Sequence, residues 1–233
     1  MKNRTDRLPK LTPRLETVAS LVREGARLLD VGTDHAYLPA VLVGQGKCKC
    51  ALATDLRKGP LAHAAATIAA CGLKSKISLV MTDGLTGLSL EEIDDVVLAG
   101  MGGKLMLSII KAAPSLKDPR LHLILQPQTD LPSVRETMAG DGFCLNRELL
   151  VREEHRIYHV FSFVYDGVRR SLSLLERQIG NPEADRQLLH AYRQNLKGSL
   201  TKQLAGIRKS EQPDVARAEE LEKILSLLEA GEM

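Results

Sequence analysis

The residues best suited to chemistry lie in the stretch LLDVGTDHAYLP, residues 28–39, where an apolar run ends in Gly32 and Thr33, Asp34 and His35 follow without a gap. Glycine permits the tight turn that lets a backbone approach a ligand closely. Tyr37, Leu38 and Pro39 then resume an apolar pattern suited to the start of a helix. A strand, a glycine turn and a helix form the unit that cradles nucleotide-like molecules at the carboxyl edge of a parallel sheet. Ordinary βα loops share this pattern, so its meaning depends on what lies downstream.

A ligand built from ribose and adenine asks for a carboxylate after the second strand, where it can accept from the ribose hydroxyls. Asp55 stands there, 23 residues after Gly32, close to the spacing of about 20 expected of such an acid. Asp83, with Gly84 beside it, follows a third apolar run and can accept from an adenine amino group. Each acid alone is commonly a cap or turn residue, but acids or glycines after four successive strands mark a ligand-binding edge. A full G-x-G-x-x-G is missing. Asp34 and His35 place negative charge where a pyrophosphate would lie, so S-adenosylmethionine, with its sulfonium and ammonium groups, fits better than NAD. Gly100-Met101-Gly102-Gly103 after the fourth strand supplies no side-chain carboxylate. It either holds a substrate base by backbone carbonyls and close approach, or lets a helix pack tightly on the sheet.

The elements that must position these residues are legible as alternating short apolar runs and helical spacings. Strands are expected at 27–31, 48–55, 76–81, 94–99 and 121–126, with helices at 12–23, 36–44, 59–71, 103–110 and 131–140. Continuous apolar strands alternating with helices predict a parallel sheet covered on both faces. Residues 143–151 and 155–165 leave no room for a helix and predict an antiparallel hairpin at the sheet edge. Five βα units closed by a hairpin make a Rossmann-like methyltransferase core, placed at residues 1–166. Residues 167–233 read as helical, with Leu189, Tyr192, Leu196 and Leu200, then Leu221, Ile224, Leu225 and Leu228, at spacings of three and four. Gln212-Pro213 breaks them into an antiparallel hairpin resembling a short coiled coil. Residues 186–210 hold six bases and no acid, and residues 211–233 hold seven acids and two bases. Either the two helices complement each other's charge or the basic one offers a face to RNA phosphates.

The 233 residues carry a net charge of +3, 44% apolar residues and no tryptophan, the balance of a soluble globular protein. Basic residues near the start precede no apolar core of a signal peptide, and no run reaches the length of a membrane span. Cys48, Cys50, Cys71 and Cys144 lack paired ligand spacing, so no metal is expected and free thiols in the cytoplasm are.

Taken together, DVGTDHAYLP, RKGP (57–60), TDG (82–84), AGMGG (99–103), LILQPQ (123–128) and the opening LTPRLETVASLV (11–22) resemble the bacterial TrmK family, tRNA adenine-N1 methyltransferases acting at position 22. The resemblance implies a class I S-adenosylmethionine-dependent α/β fold with a coiled-coil-like C-terminal domain that helps engage tRNA. It implies Gly32, Asp34, Asp55, Asp83, Gly84, Gly100 and Met101 in the cofactor cleft. Thr33 and Asp55 stand where the family usually has Ser and Glu. The substrate side is assigned to Lys58, Gly102, Gly103, Gln126 and Pro127, with Arg57, Lys2, Arg4, Arg7 and Lys10 as further phosphate contacts. Asp34 is the expected acceptor for charge developing at N6, or a contact to the methionine ammonium. His35 either shuttles the N6 proton or holds the loop, and Tyr37 either meets the base or packs in its helix. A monomer is expected.

Overall fold

The computed structural model describes residues 7–210 and 212–230. The expected contacts at Lys2 and Arg4 lie outside the described residues. Thr12 caps helix α1 (Pro13–Leu21), its hydroxyl accepting from the Leu15 N–H, and the proline occupies the first turn, where no N–H is needed. The chain then alternates through β1 (Ala26–Val31), α2 (Tyr37–Gly44), β2 (Cys48–Asp55), α3 (Lys58–Ala70), β3 (Ile77–Met81), β4 (Asp95–Met101), α4 (Gly103–Ala112), β5 (His122–Pro127) and α5 (Leu131–Gly140). β6 (Phe143–Glu153) and β7 (Arg156–Tyr165) form the hairpin. β6 runs two residues further and β7 begins one residue later than expected, so that only Glu154 and His155 turn the chain. Sheet order is β3-β2-β1-β4-β5-β7-β6. β1 to β5 pair in parallel, and β7 lies antiparallel between β5 and β6.

The apolar strands are continuous because both of their faces are covered. Leu28 and Leu29, adjacent in β1, point to opposite sides of the sheet. Leu28 joins a core with Val18, Leu42 and Ile68 under α1, α2 and α3. Leu29 joins a second with Met106, Ile110, Val134 and Phe161 under α4 and α5. The arrangement leaves the carboxyl ends of β1 to β4 open at one edge.

Beyond the sheet come α6 (Leu174–Gln178), α7 (Arg186–Lys209) and α8 (Val215–Ala230). Ion pairs Lys197–Glu229 and Arg208–Glu222 show that α7 and α8 run antiparallel. Leu200, Leu204, Leu221, Ile224 and Leu228 form their seam, which also takes in Leu150 of β6 and Ile157 of β7. The helical hairpin is thereby docked on the edge of the sheet. The short α6 was not expected, although Ser173 and Glu176 form a capping box whose spacing is visible in the sequence. Among the described residues no helix is long and apolar enough to cross a membrane.

Candidate active site

A cavity of about 550 Å³ opens over the carboxyl ends of the central strands. Its floor is the turn after β1, where Gly32, Asp34 and Ala36 all take left-handed backbone angles of +74°, +52° and +54°. Glycine and aspartate tolerate this conformation; alanine does so at about 1–2 kcal/mol. The turn is held by its neighbours. The N–H groups of Gly32 and Thr33 both donate to the Thr54 carbonyl, at 2.9 and 2.8 Å. The Asp34 N–H donates to the Asp55 carboxylate at 3.4 Å, and the Arg57 N–H donates to its other oxygen at 3.0 Å. The TDHA turn is therefore built onto β2, and Asp55 is fixed in place by the backbone on either side of it.

Asp30 was not singled out from the sequence, yet it lines the cavity and is almost fully buried. Burial pushes its carboxyl up to about 6, against the Thr33 hydroxyl that donates to it at 2.6 Å, and the charge on Asp55 adds to the rise. A cation entering the cavity would relieve that strain. Asp34, Asp55 and Asp83 line the same space, and among the described residues Arg14 and Arg57 are its only arginine or lysine side chains. Among the neutral walls are Leu56 and Leu105, 62% and 55% exposed. Large apolar side chains left bare beside the Asp55 carboxylate suit a flat heterocycle attached to a hydroxyl-bearing sugar.

The structure gathers Gly32, Asp34, His35, Tyr37, Asp55, Asp83, Gly100 and Met101 around this cavity. Other expected residues sit behind its walls. Gly84 adopts a φ of +58° beneath Ile109. Gln126 is wholly buried; its Oε1 accepts from Arg14 Nη1 at 2.7 Å and from the Gly100 N–H at 3.0 Å, while its Nε2 donates to the Pro127 carbonyl. It ties α1 to the glycine turn rather than facing the cavity. A Cβ on Gly103 would lie 2.5 Å from the Thr129 carbonyl, so that glycine lets α4 pack on the loop after β5. Gly102, against the Thr129 hydroxyl, shares this packing. Lys58 opens α3 on the exposed surface outside the cavity lining. Gln128, not Gln126, reaches the cavity, and so does Arg14, held also by Glu153 and by the face of Tyr158 at 5.5 Å. Nothing in the local pattern of α1 marks Arg14, since its partners come from β5 and from the far hairpin. Among the described residues no three His, Cys, Asp or Glu side chains are grouped as for a metal ion.

A family model described as a methyltransferase domain matches residues 11–161. A Bacillus subtilis protein named tRNA (adenine(22)-N(1))-methyltransferase is 34% identical over 173 residues, 71% of this chain and 73% of that protein. The chain belongs to this family. The crystal structure of the B. subtilis m1A22 tRNA methyltransferase TrmK superimposes with a TM-score of 0.80 at 28% identity, covering 95% of this chain and 98% of that one. M. capricolum TrmK, solved with S-adenosylhomocysteine, gives a TM-score of 0.79 at 26% identity, covering 95% of this chain and 97% of that one. These likenesses span the helical hairpin as well as the sheet. The TrmK fold is thus a Rossmann-like methyltransferase sheet carrying C-terminal helices, as the strand and helix periodicities predict.

Proposed function

We propose that this chain uses S-adenosylmethionine to methylate N1 of an adenine in tRNA, at position 22, and does so in the cytoplasm as a monomer. The observation that carries the reading is the cavity at the open sheet edge. Four carboxylates line it, two of them buried and one of those, Asp30, raised in pKa, beside bare apolar walls. That donor set fits a molecule with a cationic end, ribose hydroxyls and a heterocycle, and it opposes a pyrophosphate. Asp30 would face the cationic methionine end, Asp55 the ribose, and Asp83 with Leu56 and Leu105 the adenine. The bound cofactor would supply an electrophilic methyl group.

Adenine N1 carries an in-plane lone pair and needs no base to expose it, so the protein's main contribution is placement. Methylation leaves positive charge shared with N6. Asp34, exposed on its left-handed turn and 3.5 Å from the His35 imidazole, is positioned to stabilise that charge and accept the proton. N1 lies on the Watson–Crick edge, so the base must be unpaired or flipped to enter. Residues 167–233 would then engage the rest of the tRNA.

Labelled methyl transfer from S-adenosylmethionine to unmodified tRNA, followed by nucleoside analysis, tests the reading. The expected product is 1-methyladenosine, reduced about 100-fold in rate by Asp34→Ala. Tight cofactor binding without transfer would favour a non-catalytic RNA-binding protein or another substrate.

A further inference from the structure

His63, on the exposed face of α3, has no place in the cofactor cleft, yet its ring lies parallel to that of His35, with centroids 4.8 Å apart and planes 3° apart. His35 in turn stacks on Tyr37, at 5.2 Å and 27°. The three rings come from two different elements and the turn between β1 and α2. Tyr37, 40% exposed, is the only aromatic among the large exposed apolar side chains of the described residues. The chain has three Phe, four Tyr and no Trp. The other tyrosines are committed elsewhere: Tyr158 under Arg14, Tyr165 against Phe143 and Tyr192 in the helical core.

We propose that His63 is a positioning residue for the RNA substrate, the anchoring ring of a ladder His63–His35–Tyr37 on which the target adenine stacks. The inference rests on the tRNA methyltransferase reading and deepens it. Reaction at N1 uses the edge of the base and leaves its faces free, so stacking and methylation do not compete. Aromatic stacking on a base contributes to binding, and that gain is kept only if the platform is already ordered. His35 follows a left-handed residue on an exposed turn. The His63 ring lying against it restricts that side chain before RNA arrives, and through it the face that Tyr37 presents.

The test uses the full chain, S-adenosylmethionine and a tRNA transcript, with 2-aminopurine replacing the target adenine for the optical readout. His63→Ala should raise the KM for tRNA about five- to tenfold, with kcat changing less, and leave cofactor affinity and thermal melting as in the unaltered protein. Emission of the bound 2-aminopurine should be brighter in His63→Ala, because the base is no longer quenched by an ordered ring stack. His63→Phe, which keeps a ring without imidazole chemistry, should restore both KM and quenching. An unchanged KM and emission in His63→Ala would overturn the inference, as would a phenylalanine variant that behaves like the alanine one. If the unaltered protein transfers no methyl to tRNA, the methyltransferase reading itself falls and this inference with it.

Discussion

At the floor of the cavity Asp30 serves two opposed requirements. Its carboxyl is buried in the sheet end, and burial, checked in part by the Thr33 hydroxyl, leaves it titrating near 6. A carboxyl raised in the folded state adds stability while protonated and loses that contribution as pH rises through about 6. At pH 7 the free protein therefore carries a strained charge, worth as much as about 3 kcal/mol if the whole rise from 3.8 is counted. Asp30→Asn, which can still accept from Thr33, should raise the denaturation midpoint at pH 7 and change it little at pH 4. A cationic ligand demands the ionised form, so S-adenosylmethionine affinity should increase as pH rises through about 6, with proton release on binding below that point. Calorimetry in buffers of different ionisation enthalpy would detect the proton, and Asp30→Asn should bind more weakly with a flat pH profile. Gly103 presents a purely steric case. A methyl group there meets the Thr129 carbonyl, a backbone atom that cannot rotate away. Gly103→Ala should cost about 1–3 kcal/mol in denaturant unfolding. It should also disturb the adjoining glycine turn enough to lower activity.

Between elements, the consequential cluster is Arg135 of α5, Glu148 of β6 and His159 of β7, all essentially buried. Glu148 accepts from Arg135 and pairs with His159 Nδ1 at 2.6 Å. Arg135 extends further, donating through Nη1 to the carbonyls of Arg177 and Gln178 at the end of α6. One guanidinium thereby joins α5, the sheet edge and the first helix of the C-terminal region. Burial raises the Glu148 carboxyl, but the hydrogen bonds from His159 and Arg135 outweigh it and hold it below its ordinary value. Burial pushes the His159 imidazole down despite the attraction of Glu148. Both groups have depressed folded values, so their contribution is intact above the ordinary histidine value of about 6.5 and erodes as pH falls, His159 first and Glu148 afterwards. Urea unfolding at pH 7.5 and 5.5 in the Asp30→Asn background, where the opposing contribution of Asp30 is absent, should show that loss, and adding His159→Gln should flatten it over this window. Glu148→Gln strands the Arg135 charge and should cost about 3–5 kcal/mol. This cluster also shows where sequence reading stops. β2 and α5 were legible to the residue, since apolar runs and helical spacing are local properties. Arg135, Glu148 and His159 look like ordinary polar positions until three elements converge on them. The site divides in the same way. Glycines and acids at strand ends advertise themselves, whereas Asp30 reads as one polar letter in a buried strand. Arg14 and His63 acquire their roles only from partners in other elements.

For the whole molecule, the question is how a nearly neutral protein would hold a polyanion. The opposed charges of α7 and α8 serve partly to join the helices, since Arg208–Glu222 and Lys197–Glu229 cross between them. That account covers only part of the basic helix. Lys202 and Lys209 are exposed and lie seven residues apart, two turns along α7. By helical geometry they share one face, about 10 Å apart. Leu200 and Leu204 are buried on the opposite side, against α8. Cations on a shared solvent face, next to a hairpin docked beside the catalytic sheet, suit the phosphate backbone of a bound tRNA. Phosphate contacts act through counterion release, so each one adds about 0.9 to the slope of log affinity against log salt on a duplex. Lys202→Gln with Lys209→Gln should weaken tRNA binding at low salt and reduce that slope by up to about 2. S-adenosylmethionine affinity and melting temperature should stay unchanged, because neither lysine touches the cofactor cavity or the helical seam. Filter binding across a salt series measures the slope directly. An unaltered slope would assign the two lysines to solvation alone and shift RNA contact to the cavity rim, where Arg57 and Lys58 are the exposed cations.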